Sequence, residues 1–117
     1  MPHIAIEVSA SKDVVVRAAV SRAATESCVE AIGASPNAII TTLSTYDPDS
    51  SVLAEGHTFD FTNVVIRLYE GRTPEAKKAF ADLLRARLAD ELGYAGHDVW
   101  VCFQDACRDD LLVGHAR

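Results

Sequence analysis

Three residues at the ends of apolar runs are of types that can do chemistry. Pro2 opens MPHIAIEVS, directly ahead of a half-alternating apolar run. With Met1 removed, Pro2 carries a free secondary amine. An α-amino group titrates near pH ~8, closer to neutrality than lysine, and burial or a nearby cation lowers it further. That makes a neutral base at physiological pH, as proton abstraction requires. Proline also suits the first residue of an edge strand, where no ladder donor is needed. Arg72, in EGRTPEAKKAF, stands between a strand and a helix. There it can fork onto a carboxylate, stabilise an enolate, or simply be solvated at a strand end. Lys12 occupies the equivalent place in the first half of the chain, so both halves present a cation.

Cysteine and histidine offer less. Cys28, Cys102 and Cys107 are an odd number with no metal-like spacing, and His3, His57, His97 and His115 are scattered. No metal site is expected, and reduced thiols in a cytoplasmic protein is the default reading. Cys102 is expected to be a buried small apolar group, and Cys107 a loop residue without an activator.

The elements that must position these groups are legible in the hydrophobic pattern. Residues 3–9 read as a strand and 13–32 as a helix with Val16, Val20, Ala24, Cys28 and Ile32 on one face, stopped at Gly33. Residues 38–45 read as a β-branched strand, followed by the turn-rich YDPDSS. Residues 62–69 are again a strand. Thr73 and Pro74 then start a helix as N-cap and first-turn residue, with Glu75 complementing its dipole. Ala76, Phe80, Leu84, Leu88 and Leu92 form its stripe, Gly93 stops it, and 98–104 is the closing strand. The stripes and stops repeat with a shift of 60 residues, from Val16 to Ala76 through Gly33 to Gly93. Strand positions share the shift, as in Ile4 and Val64 or Leu43 and Phe103. Identity at that shift is slight (Ile6, Ala19, Gly33 and Asp49), so the pattern carries the repeat.

The predicted fold class is therefore α+β (α/β): two tandem β-α-β units forming a four-stranded mixed sheet with two helices on one face. A single domain is expected over 1–117, with the first unit at 2–56 and the second at 62–117. Two helices cover only one face, yet VWVCF and AIITTL carry apolar residues on both. A homo-oligomer is expected to bury the other face; the alternative is a monomer whose 46–61 segment covers it. The chain has 117 residues, 49% apolar and 24% charged, with a formal net charge of −6. That balance argues against nucleic acid and against an anionic membrane surface as partners. No apolar run approaches a membrane span, and no signal-peptide pattern is present.

With Pro2, the EGR segment and the repeat in view, the chain resembles the tautomerase superfamily. LYEGRTPEAKKAFADLLRARLADELGYAGHDVWVCFQD resembles a 4-oxalocrotonate tautomerase subunit, and DDLLVGHAR that family's carboxy-terminal segment. MPHIAIEVS resembles the start of 5-carboxymethyl-2-hydroxymuconate isomerases, and GASPNAII the family's helix-to-strand turn. The resemblance implies a tautomerase fold also seen in macrophage migration inhibitory factor (MIF). It implies a cofactor-independent isomerase that uses the amino-terminal proline as general base or acid on a small unsaturated 2-oxo or 2-hydroxy acid, as in aromatic compound degradation. A two-unit chain of this length should be a homotrimer, its partner a small-molecule carboxylate substrate. Arg72 matches the strand-end arginine that binds a substrate carboxylate.

Departures from the family pattern bear on the chemistry. Oxalocrotonate tautomerases carry a second arginine early in the closing strand, where this chain has Ile40 and Trp100. Trp100 can wall an apolar pocket or belong to the sheet core. Decarboxylase and dehalogenase members need paired arginines near EGR and a carboxylate, where Tyr69, Glu70 and Asn37 stand, which disfavours those chemistries. Glu7 and Arg67 are repeat equivalents of opposite sign. They read as an ion pair at a subunit interface, or Arg67 as a second carboxylate ligand. Tyr69 and His3 are candidates for the pocket mouth, or surface residues. The site reading is Pro2 as catalytic residue, with Arg72, Arg67, Trp100, Tyr69 and Lys12 binding substrate. The alternatives are a decarboxylase or hydratase/dehalogenase-type member, or a non-enzymatic, MIF-like binding or signalling trimer.

Overall fold

In the computed structural model, residues 2–114 are described. Met1, its expected removal, and the end of the DDLLVGHAR segment from His115 onward lie outside the described residues.

The chain runs β1 (His3–Ser9), α1 (Val14–Ile32), β2 (Ile40–Tyr46), β3 (Thr62–Tyr69), α2 (Pro74–Leu92) and β4 (Val99–Ala106). Both helices begin on a side-chain cap. Asp13 accepts from the Val16 amide at 2.9 Å and Thr73 from the Ala76 amide at 3.1 Å. Both end on a glycine with positive φ, Gly33 at 75° and Gly93 at 72°, which close the last turns onto Val29 and onto Ala89 and Leu88. The helices span the same positions after a 60-residue shift, 14–32 and 74–92.

The strands form one mixed sheet in the order β2-β1-β3-β4. β1 and β2 are parallel, as are β3 and β4, while β1 and β3 meet antiparallel with His3 opposite Arg67 and Glu7 opposite Asn63. The two β-α-β units thus join edge to edge, head against tail.

Both helices lie on one face. Ile4, Ile6, Val8, Val64, Ile66, Leu68 and Val99 point from the sheet into a core closed by Val20, Ala24, Cys28, Ile32, Phe80, Leu84 and Leu88. The stripe positions meet there because residues four apart share a helix face. Arg87 ties the helices together, donating to Ser27 Oγ at 2.8 Å and pairing with Glu30.

Element bounds differ from the sequence pattern at two places. β2 starts at Ile40 because Pro36–Ala38 forms a 3-10 turn, after which the Ile40 amide donates to the Pro2 carbonyl at 3.1 Å. β4 starts at Val99 because Gly96–Asp98 forms the equivalent turn, and it runs on to Ala106 opposite Tyr69. The helix-free face is largely open and mixed in character: Trp100 is 55% and Ile40 49% exposed, beside polar Glu7, Thr42, Asn63, Arg67 and Gln104. Cys102, expected to be buried, is exposed for the same reason, since it points to the side the helices leave bare. The 51–61 segment reaches only one end of this face, where Leu53 and Phe61 meet Glu7 and Tyr46. No helix among the described residues is long and apolar enough to cross a membrane.

Candidate active site

The antiparallel β1–β3 pairing decides which groups can meet. It sets the start of β1 beside the end of β3, where the chain turns into α2. That turn passes through Gly71 at φ 119°, a conformation that side-chain-bearing residues rarely adopt. Arg72 follows immediately.

A pocket of about 210 Å³ opens at this end, lined by Pro2, Leu68, Tyr69, Glu70, Arg72 and Arg108. Pro2 is buried, and its carbonyl is held by the Ile40 amide. Arg72 is exposed and forms no ion pair among the described residues. Tyr69 forms one wall; its hydroxyl donates to the Leu111 carbonyl at 2.9 Å, which fastens the segment after β4 to the end of β3. Arg108 stacks over the Tyr69 ring, its guanidinium carbon 4.5 Å from the centroid. The pocket thus joins a buried proline, two guanidinium groups and one carboxylate. Cys28 lies below in the core. Burial pushes its thiol up to about 11, against the lowering effect of Arg72, so it stays protonated and apolar in character.

Of the residues singled out from sequence, Pro2, Arg72 and Tyr69 come together. Lys12 does not join them. It lies at the opposite end of the sheet, paired with Asp60 at 2.5 Å and set 5.3 Å from the Tyr94 ring centroid. Burial pulls the Lys12 ammonium down, but Asp60 and Tyr94 outweigh it, and the group ends above the ordinary lysine value. Arg67 is exposed on the open face, with Nη1 3.4 Å from His3 Nδ1. Register separates it from Glu7 by four positions along the sheet, so the two form no pair within one chain. His3 itself bonds Thr42 Oγ1 at 2.9 Å and does not line the pocket.

Trp100 is also at the far end, because β4 runs parallel to β3 and starts where β3 starts. It walls a second, apolar pocket of about 190 Å³ with Val52, Leu53, Ala54, His57 and Phe61. Beside that pocket, the His57, His97 and Asp98 ligand atoms lie within 4.8 Å of one another. Their hydrogen bonds are already committed. Asp98 accepts from Thr58 (N at 3.3 Å, Oγ1 at 3.1 Å) and pairs with His57 Nδ1 at 2.9 Å, while His97 Nε2 meets the Gly56 carbonyl at 2.9 Å. The cluster fastens the 56–58 turn to the start of β4; His57 stands 41 residues from Asp98, so in sequence the histidines read as scattered.

Arg108 is the functional candidate that sequence reasoning missed. Its local context, CRDDLL, carries no signal. The signal is topological: parallel β3–β4 pairing puts Ala106 opposite Tyr69, so the residues following β4 must arrive beside Glu70.

Comparison with known proteins bears on the fold that carries this pocket. Among solved structures, a native fused 4-OT superposes with a TM-score of 0.84 at 22% identity, covering 96% of this chain and 92% of that one. The Q0 fused 4-OT wild type symmetric trimer gives 0.83 at 24% identity, covering 98% and 94%. A malonate semialdehyde decarboxylase gives 0.83 at 21% identity, covering 97% and 92%. At these identities the likeness is one of fold. Curated protein sequences offer no significant match. A family model described as Tautomerase enzyme matches residues 39–111. With that match across more than half of its length and two β-α-β units in one polypeptide, the chain belongs to the tautomerase superfamily, in its fused two-unit form.

Proposed function

We propose that the chain is a cofactor-independent tautomerase or isomerase of small unsaturated 2-oxo or 2-hydroxy acids. The observation that carries this reading is that buried Pro2 and Arg72, which forms no ion pair among the described residues, share one small polar pocket. Removal of Met1 leaves Pro2 with a secondary amine. Its burial and the two adjacent guanidinium groups all disfavour the charged form and favour the neutral amine that proton abstraction needs. Pro2 takes a proton from the substrate's hydroxyl, or from carbon activated by the carbonyl. The electron pair passes into the conjugated system, and the same nitrogen, now cationic, returns the proton at another carbon. Arg72 grips the carboxylate or stabilises the dienolate through charge-assisted hydrogen bonds. Tyr69 shapes the wall. Lys12, Arg67 and Trp100 have no part within one chain's pocket.

A second reading, a decarboxylase or hydratase, is favoured by Arg108, which supplies the second guanidinium beside Pro2 that those chemistries use. We further propose a homotrimer. The uncovered sheet face, with Ile40 and Trp100 half exposed, supports it, as does the similar fused 4-OT described as a symmetric trimer. In that assembly Glu7 and Arg67, unpaired within one chain, face each other across the interface.

The test begins with intact mass, to establish Met1 removal. Ketonisation of phenylenolpyruvate and of 2-hydroxymuconate is then measured for wild type and Pro2→Ala. The expected result is wild-type turnover that falls roughly 10²- to 10⁴-fold in the variant. Wild-type rates no faster than buffer, or an equally fast Pro2→Ala, sink the catalytic reading and leave the binding or signalling trimer. Faster turnover of malonate semialdehyde selects the decarboxylase. Native mass spectrometry that finds a monomer removes the trimer.

A further inference from the structure

We propose that His57, His97 and Asp98 form a binding site for a divalent transition-metal cation of the zinc class, at the end of the sheet opposite Pro2. The inference is independent of the proposed reaction and assigns the cation no step in it.

The three ligand atoms lie within 4.8 Å of one another. Tetrahedral zinc sets its nitrogen and oxygen donors about 3.4 Å apart. His57 Nδ1 and Asp98 Oδ1, at 2.9 Å, are already close to that spacing, and His97 Nε2 is 4.0 Å from Asp98 Oδ2. The remaining closure falls to His97, whose side chain is 60% exposed on the short Gly96–Asp98 turn and is free to move. The hydrogen bonds these groups now make are of the kind a cation replaces. His57 Nδ1 and Asp98 share one proton; a metal ion takes its place, and the imidazole carries its proton on Nε2 instead, which forms no hydrogen bond among the described residues. His97 Nε2 gives up the Gly56 carbonyl at 2.9 Å, on an exposed turn where water can take over.

The surroundings match a metal-ligating carboxylate, which is itself held by hydrogen bonds. Asp98 is buried, and the Thr58 amide and hydroxyl donate to it at 3.3 and 3.1 Å, which fixes its orientation. A carboxylate has about four acceptor sites, so capacity remains for a cation. The Trp100 indole donates to the His97 carbonyl at 3.2 Å and steadies the turn that carries two of the three ligands. Two imidazoles and one carboxylate suit zinc, nickel or cobalt, whereas magnesium and calcium take oxygen donors. Three protein donors leave the fourth tetrahedral position to water. The expectation of no metal site rests on spacing along the chain; only the fold brings His57 to the 97–98 pair.

The test uses untagged protein freed of metal with a chelator. Zinc sulfate binding is measured by calorimetry. Cobalt(II) binding is followed by its visible absorption and by quenching of Trp100, the chain's single tryptophan, whose ring centroid lies 6.0 Å from that of His57. Wild type is expected to take up one zinc ion per chain, with no comparable binding of magnesium. His97→Ala alters an exposed side chain and so keeps the fold. It should weaken zinc binding at least tenfold, since loss of a residue that only orients a ligand already costs roughly 10- to 100-fold. His57→Ala should do the same; because it also strips a partner from buried Asp98, His97→Ala decides the matter if that variant does not fold. Zinc should raise the melting temperature of wild type and leave that of His97→Ala unchanged. A Cys102→Ser, Cys107→Ser double variant should bind zinc as wild type does, and the cobalt complex should lack thiolate charge-transfer absorption. Four results overturn the proposal: no saturable zinc binding to wild type, equal affinity in His97→Ala, loss of binding in the cysteine variant, or equal binding of magnesium. Turnover of 2-hydroxymuconate bears on Pro2 alone, so the two readings stand or fall separately.

Discussion

The two ends of the sheet are built from equivalent positions and come out chemically opposite. At one end stand Pro2 and Arg72; a shift of 60 residues turns these into Thr62 and Lys12 at the other. Both cations follow an edge-to-edge hydrogen bond of the same kind, Glu70 to Ala106 at 2.9 Å and Ala10 to Tyr46 at 2.8 Å. Yet Arg72 opens onto a pocket, while Lys12 is neutralised by Asp60. The cause is what enters each end. The 47–61 segment brings Asp60 onto Lys12, and the Thr62 hydroxyl turns back to the Asp60 carbonyl at 2.9 Å. Tyr94 and Asp98, whose counterparts are Ala34 and Ala38, fill the rest of that end. Duplication of a unit therefore does not duplicate a site. A cation is left available for binding only where the neighbouring segments do not pair it.

The largest effect should come from substitution of the proline and its counterpart. Pro2→Ala should cost about 10²- to 10⁴-fold in kcat/KM with little change in melting temperature, whereas Thr62→Ala should act on stability alone. For wild type, kcat/KM against pH should rise on a limb lying below pH ~8, because the base must be neutral to accept a proton. Catalytic loss in both variants would erase the distinction between the two ends.

Arg72→Ala comes next. Loss of a charge-assisted fork on a substrate carboxylate should cost roughly 10- to 100-fold in kcat/KM, and because Arg72 is exposed and forms no ion pair among the described residues, thermal unfolding should be nearly unaltered. A fall in melting temperature as large as that for Lys12→Ala would show that Arg72, too, is spent on structure.

How much of this difference can be seen in sequence follows from the range of each interaction. Helix stripes, caps and glycine stops are local, so the 60-residue repeat and the equivalence of Lys12 and Arg72 can be read from the chain. The pairing that silences Lys12 spans 48 residues to Asp60, and neither residue's surroundings announce it. Arg108 is hidden for the converse reason, since only the β3–β4 register brings it to Tyr69. Sequence places Trp100 in a substrate pocket or in the sheet core, but the direction of β4, fixed by the antiparallel join between units, carries it to the far end. Cys102 looked buried because strand composition is apolar on both faces, while the helices cover only one.

Asp98 provides the third contrast, now in stability. It is 1% exposed, and burial pushes its carboxyl up. The hydrogen bonds from His57 and from the Thr58 amide and hydroxyl, with the charge of His97, outweigh burial and hold it below the usual carboxylate range. A depressed native value means the unfolded chain binds the proton more readily. The contribution is therefore present above the unfolded value near pH ~3.9 and disappears as pH falls through the native one. Asp98→Asn should lower stability by about 1–3 kcal/mol at pH 7, with the gap closing in acid, as urea unfolding at a series of pH values would record. No comparable dependence is expected at Ala38, which carries no charge. A pH-independent gap would mean that Asp98 acts through packing alone.

The smallest effect tests the comparison most directly. Lys12→Ala removes an ion pair whose side chains are 21% and 34% exposed, together with a cation–aromatic contact 5.3 Å from the Tyr94 centroid. Partial solvent screening holds the pair to the low end of its range, so the loss should be about 1 kcal/mol. It should shrink in high salt, because screening weakens exposed pairs in wild type and leaves the variant with nothing to lose. Since Lys12 is spent on Asp60, kcat/KM should follow wild type for both 2-hydroxymuconate and phenylenolpyruvate. A drop in turnover at constant stability would mean that Lys12 reaches a substrate after all, through a neighbouring copy of the chain, and that the two ends of the sheet are less different than their pairing implies.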